Sequence, residues 1–326
     1  MLLAGDIGGT KTLLGLFDRV SPRPHPIASR AFSTLEYSDL TTMISVFVTE
    51  AAVPHANIEA ASFGVAGPVL GETAQLTNVP WRIDARRLAE TLDIGSVRLL
   101  NDLQAMAYAV PVLHSTELHL LQEGIALAGG NMALIAAGTG LGEALLHFVD
   151  GRFIPSPSEG GHADFAARTE RDITVLRALV QQYKRVSVEH VVSGPGLINL
   201  HRAMHSGPCR AVADGNSRDA PAAITSAALE GRCPACVETL ATFVDAYGAE
   251  AGNLALRTVA TAGLFVGGGI APKILPALAD GTFMRAFRDK APLDDLMARI
   301  PVNVILHAEP GLLGAAVHAQ GERLGN

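Results

Sequence analysis

One pattern constrains this chain more than any other, because it occurs twice. Leu2 to Ile7 is a short apolar run, Gly8-Gly9-Thr10 breaks it, and Thr12 to Phe17 resumes it. About 130 residues later Met132 to Ala137, the glycine-rich Gly138-Thr139-Gly140-Leu141-Gly142 and Ala144 to Val149 repeat the series. Apolar runs flanking a glycine turn predict two strands joined as a hairpin. Two such hairpins at that spacing suggest a duplicated core.

The length agrees with duplication. At 326 residues the chain exceeds what one hydrophobic core usually fills, so two lobes with a cleft between them are expected. Ala60 to Val65 and Val97 to Leu100 read as buried strands, and Asp84 to Leu92 as a helix capped by Asp84 with Leu88 and Leu92 facing inward. Further helices are predicted at Asp172 to Tyr183, Val237 to Val259 and from Gly311 onward, with a strand at Leu264 to Gly267. Strands alternating with helices make this an α/β chain. Pro111 interrupts the pattern, which sets the expected lobes at 1–110 with 308–326, and 111–307.

Charge and cysteine content narrow the function classes. A net charge of -7 leaves no broad basic face for nucleic acid or an anionic membrane, so any phosphate binding must be local. The apolar stretches around 132–137 and 262–266 fall short of the ~20 residues that cross a bilayer, and Asp6 interrupts the N-terminus too early for a leader. With only three cysteines, a reducing, cytoplasmic setting is expected. Cys233-Pro-Ala-Cys236 has the spacing of half a zinc site, but no second pair lies nearby in sequence. Two reduced thiols at a helix start are therefore expected, and no structural zinc.

Five segments carry candidate chemistry. In Asp6-Ile7-Gly8-Gly9-Thr10-Lys11 an acid at a strand end precedes glycines whose N-H groups can approach phosphates, a hydroxyl and a cation; Asp6 is suited to Mg²⁺, directly or through water. A plain hairpin turn is the alternative. The segment is not a P-loop, since the Gly-x-x-x-x-Gly-Lys-Ser/Thr spacing is missing, and Gly138-Thr139-Gly140 lacks the dinucleotide fingerprint. Gly267-Gly268-Gly269 sits between a strand and a helix, where its backbone can lie against a nucleoside or merely turn the chain.

Asn101-Asp102 follows a strand and precedes a helix. Either residue can serve as N-cap, yet strand ends in α/β sheets are where ligands bind, and a carboxylate there can take the proton of an alcohol attacking a γ-phosphate. Glu159-Gly160-Gly161-His162, with Glu189 beyond the next helix, offers acceptors and donors for sugar hydroxyls or, alternatively, ligands for a metal.

Taken in order, the motifs are more specific than any one of them. Gly5-Asp6-Ile7-Gly8-Gly9-Thr10, Phe63-Gly64-Val65-Ala66-Gly67-Pro68, Thr77-Asn78-Val79-Pro80-Trp81, Leu100-Asn101-Asp102, Gly138 to Gly142, Glu159 to Phe165, Ser193-Gly194-Pro195-Gly196 and Gly267 to Ile270 follow the order of bacterial glucokinases, which the chain resembles over nearly its whole length. The resemblance implies a two-domain actin-like (ribonuclease H-like) fold. It also implies a cytoplasmic enzyme, often a homodimer, that uses ATP and Mg²⁺ to convert D-glucose to glucose 6-phosphate.

Carried over by position, Asp102 is the base and Asn101, Glu159, His162 and Glu189 contact glucose, as does Asn78. Gly5, Asp6, Ile7, Gly8, Gly9, Thr10 and Lys11 form the ATP segment; Gly138, Thr139 and Gly140 face the phosphates, and Gly268 and Gly269 the adenosine. The related repressor-kinase-type glucokinases carry a cysteine-rich zinc segment soon after their Gly-His, and none follows His162. The chain thus resembles the zinc-free group. A kinase for another hexose or amino sugar keeps every motif. A sugar-responsive regulator needs a helix-turn-helix for which the N-terminus leaves no room, and a non-catalytic sugar binder would not need both Asp6 and Asp102.

Overall fold

The computed structural model describes residues 1–54, 57–76, 79–205, 207, 209 and 219–321. The chain divides into two compact units: Met1–His114 with Phe153–Pro157 and the residues from His307 onward, and Ser115–Arg152 with Ser158–Leu306.

The first unit opens with β1 (Leu2–Ile7), β2 (Lys11–Asp18) and β3 (His25–Ser33), followed by α1 (Leu40–Glu50), β4 (Ala60–Val65), a small sheet of β5 (Val69–Leu70), β6 (Thr73–Gln75) and β7 (Arg82–Asp84), then α2 (Ala85–Leu92), β8 (Val97–Asn101) and α3 (Asp102–Ala109). Asp84 caps α2 by accepting from Arg86 N and Arg87 N at 3.0 and 3.2 Å, and Leu88 and Leu92 are buried, as the sequence predicts.

The second unit contains β9 (Leu118–Gln122), β10 (Met132–Ala137), β11 (Leu141–Val149), α4 (Glu170–Tyr183), α5 (Gly194–Met204), α6 (Ala220–Leu229), α7 (Pro234–Thr258), β13 (Gly263–Gly267), α8 (Leu275–Leu278), α9 (Thr282–Arg288), α10 (Asp294–Arg299) and β14 (Val302–Ile305), while β12 (Arg152–Ser158) has its ends in this unit and Phe153–Pro157 in the first. The chain then enters α11 (Pro310–Gly321) in the first unit. Two helices start more than one residue earlier than predicted. A capping box between Thr169 and Asp172 moves α4 back to Glu170, and Pro234, whose missing N-H costs nothing in a first turn, opens α7 before Val237. Among the described residues no helix is long and apolar enough to cross a membrane.

The duplication is visible in strand order. One sheet runs β3-β2-β1-β4-β8 and another runs β12-β11-β10-β13-β14, with β9 added at the edge. In each, an antiparallel hairpin (β1 with β2, β10 with β11) lies beside parallel strands. The apolar runs of β1, β4, β10 and β13 are almost wholly buried, as expected of inner strands covered on both faces. The glycine turns therefore fall at the carboxyl ends of inner strands, the place where open α/β sheets bind ligands.

Candidate active site

In the first unit the register lines up three strand ends. Ile7 stands opposite Val65, and Val65 opposite Asn101, so Asp6 and Asp102 emerge at the same edge with β4 between their strands. Gly5, Asp6 and Ile7 finish β1, Gly8-Gly9-Thr10 turns, and Lys11 opens β2. Gly8 N donates to Lys11 O at 3.0 Å, while Thr34 braces the turn from the next connection: its N-H donates to Thr10 O at 3.0 Å and its hydroxyl to Gly8 O at 2.8 Å. Thr34 carries no motif and was missed in the sequence.

The choice of N-cap at Asn101-Asp102 is resolved. Asn101 Oδ1 accepts from Leu103 N at 3.0 Å and Gln104 N at 3.4 Å, so Asn101 caps α3 and Asp102 is its first helical residue. Asp102 Oδ1 also accepts from Leu103 N, at 2.9 Å. Asp6 is pushed up to about 6 by its burial first, then by the negative charges of Asp102 and Glu309, with Lys11 pulling the other way. Three carboxylates thus crowd one strand end, an arrangement that a cation would relieve.

The second unit builds its site around Ala137. Ala137 N donates to the phenol oxygen of Tyr247 at 3.2 Å, and Ala137 O accepts from Ile270 N at 3.2 Å. Gly268 approaches the same peptide with φ +84, and a Cβ there would lie 2.3 Å from Ala137 O. Only glycine tolerates both conditions. Gly138 N donates to Gly140 O, and Gly138 O accepts from Gly194 N at the start of α5, both at 2.8 Å. Thr139 is exposed at the turn, and nothing described crowds Gly269.

Glu189 couples this turn to the Glu159–His162 loop. Its Oε2 accepts from Leu141 N at 2.8 Å, its Oε1 lies 3.9 Å from His162 Nδ1, and His162 Nε2 lies 4.0 Å from Glu159 Oε2. Glu159, His162 and Glu189 are therefore gathered, whereas Asn78 falls outside the described residues.

Beneath the loop lies a buried pair invisible in the sequence. A Cβ at Gly160 would meet Glu143 Oε2 at 2.0 Å, and Glu143 neighbours Glu250, to which Arg257 Nη1 and Asn253 Nδ2 donate at 2.8 and 2.9 Å. Burial, then the Glu250 charge, pushes Glu143 up to about 8. Between the ordinary glutamate value of about 4.3 and about 8, the folded chain keeps a proton that the unfolded chain has released, so raising the pH across that window destabilises the fold. Glu143→Gln, which is always neutral, is expected to gain on the wild type in melting temperature by a few degrees more at pH 8 than at pH 5. Thermal unfolding at the two pH values measures this, and an equal difference at both would remove the Glu143 proton from the account.

Cys233 and Cys236 are free thiols at the start of α7. Cys209 Sγ lies 3.5 Å from Cys233 Sγ and 3.7 Å from Cys236 Sγ, and His201 stands beside them, so the two thiols of the Cys-Pro-Ala-Cys motif do not stand alone. A cavity of about 710 Å³ lined by residues such as Asp39, Trp81, Asp84 and Arg87 also opens in the first unit. Its lining includes Pro80 and Trp81 of the Thr77–Trp81 motif.

Comparison with known proteins agrees with this geometry. The glucokinase family model matches residues 3–322. The glucokinase of a Nostoc species is 39% identical, with 98% of each chain covered, and that of Escherichia coli is 35% identical over 97% of this chain and 96% of its own. Among solved structures, a glucokinase from an Antarctic psychrotroph superposes with a TM-score of 0.87 at 29% identity, covering 98% of both chains. A ROK family glucokinase from Streptomyces griseus, in complex with glucose and AMPPNP, shares the fold at a TM-score of 0.65 and 21% identity, with 99% of both chains covered. The duplicated sheets are those of the actin-like sugar kinases, and with a family model and relatives matched from end to end, the chain belongs to the glucokinase family.

Proposed function

We propose that this chain transfers the γ-phosphoryl group of ATP to the 6-hydroxyl of D-glucose, with Asp102 as general base. The observation that carries the proposal is the placement of Asp102: a carboxylate at the carboxyl end of an inner parallel strand, with Asn101 taking over the cap of its helix. The Streptomyces griseus relative, which holds both glucose and an ATP analogue, supports the choice of substrates.

Each remaining group takes a role suited to its chemistry. Asn101, Glu159, His162 and Glu189 hold the sugar hydroxyls, with charged acceptors giving the stronger hydrogen bonds. Asn78 is assigned to the sugar by resemblance alone. The Gly8 to Thr10 and Gly138 to Gly140 turns face the phosphates, with the N-H groups of Gly8 and Gly138 donating within their own turns, and Gly268 and Gly269 flank the adenosine. Asp6, with Glu309 nearby, is suited to hold Mg²⁺, which supplies neutralising charge to the phosphates. Asp102 takes the proton of the 6-hydroxyl as the oxygen attacks, so the reaction is positioned and electrostatically assisted rather than covalent. The enzyme is assigned to the cytoplasm, and to a homodimer, on the resemblance to its family.

A coupled assay tests the proposal. Glucose 6-phosphate is expected to form only when glucose, ATP and Mg²⁺ are all present. A panel in which mannose, fructose or glucosamine outperforms glucose in kcat/KM would replace the substrate while keeping the machinery. ATP consumption without any sugar phosphate would overturn the reading.

A further inference from the structure

We infer that His201, Cys209, Cys233 and Cys236 form a tetrahedral zinc site, separate from the residues assigned to sugar and nucleotide and independent of that assignment. These residues meet on three neighbouring pieces of the second unit. His201 lies in the last turn of α5, Cys209 follows that helix, Cys233 is the N-cap of α7 and Cys236 its third residue. Ligand atoms of His201, Cys209 and Cys236 lie within 4.8 Å of one another, and Cys233 Sγ adjoins Cys209 Sγ at 3.5 Å.

The spacing suits a metal ion better than a disulfide. With Zn–S bonds of about 2.3 Å, two sulfurs on a tetrahedral zinc sit about 3.8 Å apart. Cys209 Sγ stands 3.5 and 3.7 Å from its two neighbours, whereas a disulfide would bring one pair to about 2.05 Å and leave the third thiol over. One cysteine equidistant from two others is the geometry of a shared centre. The start of α7 adds a favourable field, because the N-H groups and dipole of a helix N-terminus stabilise thiolates.

The imidazole is prepared for the fourth position. His201 is buried, and its Nδ1 lies 3.0 Å from Thr239 Oγ1. That hydroxyl donates its own proton to Ala235 O at 2.8 Å, so it accepts from Nδ1–H and the lone pair is left on Nε2. A ring nitrogen oriented by a hydrogen bond on its other side is the usual condition of a histidine ligand. Three thiolates and one imidazole favour zinc over the hard cations that phosphates bring with them. On binding, the three thiols release their protons to solvent. The site would tie the end of α5 to the start of α7. At its other end α5 holds the phosphate hairpin through Gly194 N and Gly138 O.

The test uses the full-length chain, purified under reducing conditions without chelator. One equivalent of zinc per chain is expected by elemental analysis, falling to near zero in Cys209→Ser and Cys233→Ser. Independently of any variant, the reduced, metal-free wild type loaded with Co²⁺ is expected to show the visible bands of a tetrahedral ion together with thiolate-to-cobalt charge transfer. Zinc is expected to abolish that spectrum and to protect the three thiols from a disulfide reagent. Cobalt bands without thiolate charge transfer, thiols that react equally fast with and without zinc, or a disulfide among the three cysteines in the purified chain would each overturn the site.

Discussion

Replacing Asp102 by asparagine is expected to lower kcat about 10³-fold while leaving the affinity for glucose unchanged. A positioned general base contributes roughly 10²–10⁴-fold, and each tenfold loss corresponds to about 1.4 kcal/mol of transition-state stabilisation. The substitution isolates the proton-accepting role because it preserves shape. An asparagine at 102 can still accept from Leu103 N, and the cap of α3 belongs to Asn101, so the helix start should persist. Glucose binding, read by the quench of Trp81 fluorescence or by calorimetry, separates the two roles. A variant that loses affinity and keeps kcat would make Asp102 a sugar contact, and one with near-normal turnover would remove it from the reaction. Removing the Asp102 charge also withdraws the second-largest cause of the raised Asp6 value, so Asp6 in the variant should titrate lower than in the wild type.

How much of this was legible beforehand follows from the range over which each signal acts. Hairpins and strand ends are local, and β1, β4 and β10 have the predicted bounds because buried apolar runs and glycine turns specify them within a few residues. The capping question at Asn101-Asp102 is also local, yet both residue types suit the position, so only backbone geometry could decide it. Tyr247, Glu143 and Glu250 were not foreseen. Each acts across about 100 residues of chain: the Tyr247 phenol beneath Ala137, Glu143 against Glu250. In sequence they are unremarkable members of a buried helix and an inner strand. His201 and the grouping of Cys209 with Cys233 and Cys236 are illegible in sequence for a related reason, since the cluster draws one residue from each of two separate segments with no regular spacing. Glu309 has no motif at all. Its relevance comes from the turn into α11, which brings it to Asp6.

Gly314→Ala is expected to destabilise the chain and reduce turnover together, against the ordinary rule for helices. In the middle of α11 an alanine should stabilise by up to about 1 kcal/mol through propensity. Here packing opposes it. A Cβ at 314 would stand 1.7 Å from Ala105 O and 2.9 Å from Ala109 N, both backbone atoms of α3, so no side-chain rotation can relieve the clash. The helices must separate, and overpacking of this kind costs about 1–3 kcal/mol or more, which exceeds the propensity gain. Separation also moves both acids: α3 begins at Asp102, and near its own start α11 presses Gly311 against Asp6, where a Cβ would lie 2.6 Å from Oδ2. Gly321→Ala supplies the control on the same helix, because no described atom lies within 4 Å of the added carbon. The expected result is a melting temperature several degrees lower and a reduced kcat for the variant at 314, with neither change at 321. Equal behaviour of the two variants would mean that α11 yields without moving α3, and the link between this helix contact and the acids would be lost.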